Sequence, residues 1–203
     1  MTDEAISISD AVFCALDLET TGIDPRFHEI VEIGIIKFSL SGEIARYESR
    51  VNPGMPIPQE VVAIHGITDV MVADSPFMEQ IIPEVVAFLE GSVLVIQNAG
   101  FDVGFLMKHP GLTETVRTMK IIDTLRMSRK AYPDIRSHGL KFMCAKFGIE
   151  LDHHRAMSDA FGCMEIFRMI MSESDPQLEW RLGDIKKLHG RFYRPRPTIS
   201  CRD

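Results

Sequence analysis

The sequence predicts an α/β fold built on a mixed five-stranded sheet flanked by helices. A short apolar run rich in strand formers occupies residues 11–18, and two further strand patterns at 29–40 and 43–53 are separated by the tight turn Ser41-Gly42. Helix and strand patterns then alternate. Hairpin-joined strands pair antiparallel, whereas helical crossovers join parallel strands, so we expect an antiparallel meander extended by parallel strands.

The middle of the chain supplies the two parallel strands. A loop with a short helix is expected within 56–66, and Ser75-Pro76 predicts a helix with serine as its cap that runs to Leu89 and stops at Gly91. Three segments follow: a buried strand at 93–99, a helix at 101–109, and a short strand at 118–125 that passes into a helix.

The last third of the chain is mainly helical. Residues 140–148 predict a helix that Gly148 ends, and residues 157–171 a long apolar helix. Beyond about Ser172 the pattern weakens: 175–190 reads as one more amphipathic helix, and 191–203 as a loosely ordered tail. We therefore expect an N-terminal extension (1–10), one principal domain (11–172), and a C-terminal helix with a basic tail (173–203).

Composition limits what the motifs can mean. With 203 residues, 45% of them hydrophobic, the chain can bury one sizeable core. The start of the chain lacks a signal pattern, and no apolar run approaches the roughly 18 residues of a membrane span. We expect a cytoplasmic protein with reduced thiols and no membrane partner. Its cysteines show no paired spacing: Cys14, Cys144, Cys163 and Cys201.

The net charge of −7 argues against a protein that coats nucleic acid, although an enzyme that holds only a chain end is compatible with it. Local cations would then have to compensate where phosphate approaches. Candidates are Arg126, Arg129, Lys130, Arg136 and Lys141, and the end of the chain is also basic through Lys186, Lys187, Arg191, Arg194 and Arg196. Most charges of this kind are simply solvated helix faces.

Paired carboxylates close the first predicted strand. Asp17 and Glu19 lie two positions apart in DLETTG, so both side chains project from the same face and could bridge metal ions. Such a pair is common on exposed strands and is weak evidence by itself. The small polar residues Thr20 and Thr21 follow it, where a turn would let phosphate approach the backbone.

Three more residues extend the constellation. Asp102 follows the strand at 93–99, where it could serve equally as a helix cap or as a metal ligand. His154 precedes Asp159 by five positions, so a loop histidine could overhang an aspartate on the first turn of a helix. Histidine side chains titrate near neutral pH, as a catalytic base should.

Taken together, the segments DLETTG, NAGFD and HRAMSDA resemble, in order and separation, the three motifs of the DEDDh 3′-5′ exonucleases. That family includes the proofreading epsilon subunit of bacterial DNA polymerase III. The resemblance covers roughly residues 11–172. A sister subgroup carries tyrosine at the position of Arg155, so His154 indicates the DEDDh subtype. The resemblance implies a ribonuclease-H-like fold and release of mononucleotides from a 3′ end.

The resemblance also assigns roles. It implies that Asp17, Glu19 and Asp159 bind metal directly, that Asp102 holds a second ion directly or through water, and that His154 takes a proton from the attacking water. Two Mg²⁺ ions are expected, with Mn²⁺ able to substitute, because hard carboxylate oxygens suit both.

The segment QEVVAIHGIT resembles the part of epsilon-like members that contacts the terminal nucleotide. It nominates Glu60 and His65, with Thr20 and Thr21 nearby, as substrate-binding residues. Glu60 on a solvated helical face and His65 within a loop are the alternatives. Many members have histidine where this chain has Gln97, which can still donate a hydrogen bond.

Three functions remain open from the sequence. The first is a DNA exonuclease for proofreading or repair, which would bind a single-stranded or frayed 3′ end and could associate with a DNA polymerase subunit. The second is an RNA exonuclease, such as an oligoribonuclease or a tRNA-trimming enzyme. The third is a silent exonuclease fold used for binding, which the presence of all five motif residues disfavours.

Overall fold

One mixed sheet organises the molecule, whose computed structural model describes residues 3–152 and 154–195. The strand order is β3-β2-β1-β4-β5. β1, β2 and β3 pair antiparallel, and β4 and β5 continue the sheet parallel to β1, which confirms the predicted fold class. The strands are β1 (Phe13–Thr20), β2 (Ile30–Ser39), β3 (Gly42–Arg50), β4 (Val93–Ile96) and β5 (Ile121–Asp123).

Helices cover both faces of this sheet. No helix among the described residues is long and apolar enough to cross a membrane. The helices are α1 (Gln59–His65), α2 (Asp69–Val72), α3 (Met78–Leu89), α4 (Gly100–Leu106), α5 (Pro110–Thr118), α6 (Thr124–Ala131), α7 (Leu140–Phe147), α8 (Ala156–Ser174) and α9 (Lys186–His189), with 3₁₀ turns at Ile8–Asp10 and Leu182–Ile185.

The alternation of β1 divides the core in two. Phe13 and Ala15 face α8, and Phe13 packs against Phe167 of that helix with ring centroids 4.8 Å apart. Leu16 and Leu18 point to the other face, which α3, α4 and α5 cover. Because every second residue shares a face, Asp17 and Glu19 lie on the α8 side.

β1 is longer than its parallel neighbour, and this creates an open edge. The last β1–β4 pair is Ala15 with Val95, so the end of β1 that carries the acids has no strand on its β4 side. On its other side β1 continues to pair with β2. A β carbon on Gly34 of β2 would lie 2.4 Å from the backbone of Ala156, so only glycine lets α8 begin this close to the sheet.

The predicted start of α3 is wrong. Its N-cap is Phe77, whose N–H donates to the Gln80 side chain at 2.7 Å, rather than Ser75. The segment before it is extended instead, because Asn52 donates to the carbonyl of Pro76 at 2.9 Å and bridges to Phe77. This pairing outweighs the local serine-proline signal.

The single amphipathic helix predicted at 175–190 is also wrong. Asp175 accepts the N–H groups of Glu179 and Trp180, and Arg181 bridges to Ser7, which leaves only the 3₁₀ turn and the short α9. Tertiary pairing with the N-terminal segment overrides the helical pattern. The buried Ile8 and Leu182 of these two segments join the core on the α8 face.

Two further segments differ from expectation. The pattern analysis left 110–117 unassigned, yet α5 occupies it, with Pro110 in its first turn and Leu112 and Val116 buried four residues apart. The start of the tail is packed: Phe192 is buried, and Tyr193 donates to the Ile121 carbonyl at 2.8 Å. The remainder of the predicted loose tail, 196–203, lies outside the described residues.

Candidate active site

The carboxylates of Asp17 and Glu19 lie where β1 extends beyond β4. Burial raises the pKa of Asp17 well above its usual value, and the carboxylates of Asp102 and Asp159 raise it further. Burial likewise raises the pKa of Glu19 to about 8, with Asp159 and Glu32 adding to the effect. Negative charge is thus crowded into a poorly solvated space.

Asp102 joins this cluster from α4. The N-cap of α4 is Ala99, and the Asp102 carboxylate accepts the N–H of Leu18 at 3.2 Å. That N–H lies on β1 past the end of β4, so the aspartate satisfies a donor that has no neighbouring strand. Asp102 is 2% exposed, and burial raises its pKa to about 8. The hydrogen bond fixes its carboxylate beside β1.

Asp159 and His154 come from the start of α8. The N–H of Asp159 donates to the Arg155 carbonyl at 3.0 Å, and the N–H of His154 donates to Asp159 Oδ2 at 3.3 Å. His154 is exposed and has a φ of 64°, a left-handed backbone that few non-glycine residues adopt. The local turn therefore brings the imidazole back over the helix start.

The structure brings all five motif residues to one place. Ligand atoms of Glu19, His154 and Asp159 lie within 4.8 Å of one another, and the pKa of Asp17 is raised by both Asp102 and Asp159. Carboxylates packed this closely are stabilised by a cation, and hard oxygen donors suit Mg²⁺. The donor set therefore fits a divalent metal, and His154 is close enough to act as either a base or a ligand.

Glu32 is a buried acid that the sequence analysis did not single out. It is paired with Glu19 across β1 and β2, is 0% exposed, and accepts the N–H of Ala156 at 3.0 Å. Arg155 donates to both of its oxygens, at 3.1 and 3.3 Å. A strand carboxylate thereby holds the first residue of α8 and the residue next to His154. No local signal distinguishes Glu32 from an ordinary strand acid.

A tight loop follows β1. The Thr20 hydroxyl donates to the Gly22 carbonyl at 2.7 Å, and the Thr21 hydroxyl accepts the Glu29 N–H at 3.0 Å and contacts His28 Nδ1 at 3.2 Å. A β carbon on Gly22 would lie 2.5 Å from the His28 ring. Both threonine hydroxyls are thus engaged in hydrogen bonds within the loop.

His65 and Glu60 both lie on α1 but differ in solvent exposure. Glu60 is exposed in the first turn. His65 is 5% exposed, and its Nδ1 accepts the Ile67 N–H at 3.0 Å, so a neutral ring carries its proton on Nε2. Burial lowers the pKa of His65, while a hydrogen bond with the backbone of Thr20 and the charge of Glu32 oppose the shift. The Nε2 atom of His65 is buried near the end of β1.

Gln97 connects two elements behind the site. Its amide donates to the His138 carbonyl at 2.8 Å, and its Oε1 accepts from the Thr124 hydroxyl at 2.6 Å. The glutamine thus joins the end of β4 to the start of α6 and to the loop before α7.

Comparison with known proteins supports the motif resemblance. The exonuclease family model RNase_T matches residues 14–167. The chain is 35% identical over 204 residues to the PolC-type DNA polymerase III of Halalkalibacterium halodurans, covering 95% of this chain and 14% of that protein. The PolC-type enzyme of Caldanaerobacter subterraneus is 35% identical over 201 residues, covering 93% and 14%. The chain thus spans about one seventh of these relatives.

Solved structures share the fold. Exonuclease X in complex with 5′ overhanging duplex DNA superposes with a TM-score of 0.69 at 27% identity, covering 85% of this chain and 98% of that one. Exonuclease I, at 16% identity, has a TM-score of 0.69 and covers 83% and 42%. A 3′-exonuclease that recognises a histone mRNA stem-loop has a TM-score of 0.65 at 19% identity, covering 81% and 82%. The last two likenesses concern the fold alone.

Proposed function

We propose a function for this chain, which belongs to the RNase_T exonuclease family. It is a metal-dependent 3′-5′ exonuclease that releases nucleoside 5′-monophosphates from the 3′ ends of DNA. The observation that carries the proposal is the group of carboxylates whose burial and mutual repulsion raise their pKa values. Carboxyl groups whose ionisation is this unfavourable are typical of a site that works with a bound cation.

The residues that would hold metal are the four carboxylates of the site. Asp17, Glu19 and Asp159 lie close enough for their charges to interact and would offer direct ligand oxygens, and Asp102, which accepts the Leu18 N–H, would hold the second ion directly or through water. Two Mg²⁺ ions, for which Mn²⁺ can substitute, would supply charge stabilisation at the scissile phosphate and make water more acidic. The sheet supplies the rigid frame for these oxygens.

His154 is the proposed base. Its ring lies beside Glu19 and Asp159, within reach of a water held by those carboxylates. The imidazole takes a proton from the water, the hydroxide oxygen forms the new bond to phosphorus, and the bond from phosphorus to the 3′-oxygen breaks. The 3′-oxygen takes a proton from solvent, so that the shortened strand leaves with a 3′-hydroxyl and the released nucleotide carries a 5′-phosphate. His154 returns its proton to solvent before the next turnover.

The terminal nucleotide would bind on the α1 side of the carboxylates. His65 is buried against the backbone of Thr20 at the end of β1, and the charges of Glu32 and His154 influence its pKa, so it lies near the chemistry. We propose that it donates to the terminal nucleotide. Thr20 and Thr21 would contribute through their loop backbone, and Glu60 is the exposed contact among the four proposed substrate-binding residues.

Two findings support DNA as the substrate. PolC-type relatives are named as DNA polymerases, and exonuclease X, at 27% identity, was solved on DNA. The RNA-binding 3′-exonuclease resembles this chain in fold alone. We therefore favour a single-stranded or frayed 3′ end of DNA, in proofreading with a DNA polymerase subunit or in repair. The described cysteines Cys14, Cys144 and Cys163 are free and buried, which is consistent with the cytoplasm that we propose as its location.

The test offers 5′-labelled DNA, a 3′-mismatched duplex, and RNA of the same sequence to the purified chain. We expect a ladder that shortens from the 3′ end in Mg²⁺ and Mn²⁺, fastest on unpaired DNA, and no ladder with a chelator. Asp17→Ala, purified in parallel, controls for contaminating nucleases. Faster shortening of RNA would replace DNA by the RNA-exonuclease alternative, and no shortening of any strand would leave only the binding module.

A further inference from the structure

Cations line a groove on the side of the molecule where α6 and α9 meet. Its volume is about 520 Å³, and its lining includes Arg126, Arg129 and Lys130 of α6 with Lys186 and Lys187 of α9. All five side chains are exposed. Two segments that are distant along the chain thus present positive charge to the same space.

A second groove extends the first one towards the carboxylates. Its volume is about 470 Å³, and Gly100, Arg126, Arg191, Tyr193 and Arg194 line it. Arg126 borders both grooves, so they adjoin at this side chain. α6 begins at the carboxyl end of β5, and Asp17 and Glu19 lie at the carboxyl end of β1, which runs in the same direction, so Arg126 in the first turn of α6 lies at the same edge of the sheet as the carboxylates.

Most of the charge in this path is not neutralised by the protein. Lys186 pairs with Glu4, and Lys187 pairs with Asp184 at 2.9 Å. Within the part of the chain that the structure describes, the other cations have no carboxylate within salt-bridge distance. We call them the basic groove: Arg126, Arg129, Lys130, Arg191 and Arg194.

The neighbouring acid does not neutralise the basic groove. Asp123, at the end of β5, is 6% exposed and accepts the N–H groups of Leu125 and Arg126 as the N-cap of α6. Its carboxylate is therefore committed to the helix start. An unneutralised cluster in a chain of net charge −7 is suited to an anionic ligand, because phosphate would restore local neutrality.

We propose that the basic groove binds the phosphate backbone of the nucleic acid strand, upstream of the nucleotide being removed. This inference rests on the proposed function. The order of strands in the sheet determines the direction in which the nucleic acid would run. His65 lies on the β2 side of the carboxylates, and α6 follows β5 on the opposite side. A strand whose 3′ end occupies the His65 side would cross the carboxylates and leave over the basic groove.

The distances predict a dependence on strand length. β5 lies two positions from β1 in the sheet, about 10 Å away at the usual strand spacing. The rise along the axis of a duplex is about 3.4 Å per nucleotide and an extended single strand covers more, so no more than about three nucleotides separate the scissile phosphate from the groove. A dinucleotide would fill only the active site, and a longer strand would also reach the arginines.

The test compares charge reversals in the whole chain. Two variants alter the groove from separate segments: Arg129→Glu on α6 and Arg194→Glu after α9. The matched control is Arg46→Glu on β3, since Arg46 is exposed and pairs with Glu43. Binding of a labelled strand of about twenty nucleotides is measured by fluorescence anisotropy in a chelator, over a range of salt concentrations. Turnover is then measured on that strand and on a dinucleotide.

We expect each groove variant to bind the long strand about 10-fold more weakly than the Arg46→Glu control, with a salt dependence lower by about 0.7 per lost phosphate contact. The loss of turnover should grow from the dinucleotide to the long strand. Equal binding by groove variants and control would overturn the inference, including the case in which the groove serves a protein partner. Binding through the groove without any hydrolysis would refute the proposed function and leave the groove assignment standing.

Discussion

Two parts of the candidate site are built in different ways. The sheet part, Asp17, Glu19 and Asp102, is fixed by strand pairing and by the Leu18 N–H that Asp102 accepts. The helix part consists of His154 and Asp159. It is held by a turn that contains a left-handed residue and by hydrogen bonds between residues close in sequence. The comparison indicates that backbone pairing places the negative charge, whereas the base is placed by a short segment that needs support.

Glu32 supplies that support and joins the two parts. It stands on β2 opposite Glu19 and holds both Arg155 and the first N–H of α8. A change in the sheet part should therefore alter charge and metal binding. A change at Glu32 should alter geometry first.

The largest effect is expected in the sheet part. Asp17→Asn keeps the shape of the side chain but removes its carboxyl group. Burial and the neighbouring carboxylates raise the pKa of that group. We expect turnover to fall by about 10³-fold, because preorganised electrostatic groups contribute on this scale. Metal-free Asp17→Asn should melt at a higher temperature than wild type, since the repulsion is relieved. Asp10→Asn, at an exposed acid outside the site, is the control for both measurements.

A smaller effect is expected from the support of the helix part. Glu32→Gln removes the charge that Arg155 meets on β2, and we expect about 1–2 kcal/mol of lost stability, because Glu32 is buried whereas Arg155 is 38% exposed and solvent screens the pair. Turnover should fall about 10-fold through misplacement of His154, with the KM for DNA little changed.

Glu48→Gln is the matched control for that variant, because Glu48 contacts the same Arg155 at 3.3 Å from an exposed position. It should cost less than about 1 kcal/mol. Chemical denaturation and steady-state kinetics measure both variants. Equal losses from the two substitutions would show that Glu32 has no special role in holding α8.

A pH dependence is also expected of the metal-free protein. Folding raises the pKa of Glu19 and of Asp102 to about 8, so between about pH 4 and 8 the folded chain binds more protons than the unfolded chain. The free energy of unfolding then falls as the pH rises through this window. Melting temperatures in a chelator should fall from pH 5 to 8, and Mg²⁺ should restore them most at the upper end. A melting temperature independent of pH in the chelator would contradict the crowding of the carboxylates.

The fold and the sheet part were largely predictable because both follow local rules. Alternation in β1 places Asp17 and Glu19 on one face, and hairpin chemistry pairs β2 with β3. The helix after β4 was also predicted, although Asp102 could be read as its cap. Only the three-dimensional structure shows that its carboxylate satisfies an N–H of β1, because the missing partner on that side results from the short β4.

Long-range pairing explains what the sequence did not show. Ser75 fails as a helix cap because Asn52 pairs with the next segment, and the C-terminal helix is broken where Arg181 meets Ser7. No local pattern marks Glu32, because the N–H that it accepts belongs to a residue more than a hundred positions away. The groove cations were individually visible, but their convergence depends on how the end of the chain pairs with β5.

The central claim is that the carboxylates hold metal while His154 moves a proton. Its most direct test is Mn²⁺ binding by calorimetry, together with turnover on DNA, for wild type, Asp17→Asn and His154→Ala. We predict that His154→Ala retains Mn²⁺ and DNA binding but loses about 10²- to 10³-fold in turnover, as for a lost general base. Asp17→Asn should lose both Mn²⁺ binding and turnover. Loss of Mn²⁺ binding in His154→Ala would make the histidine a ligand and contradict the account.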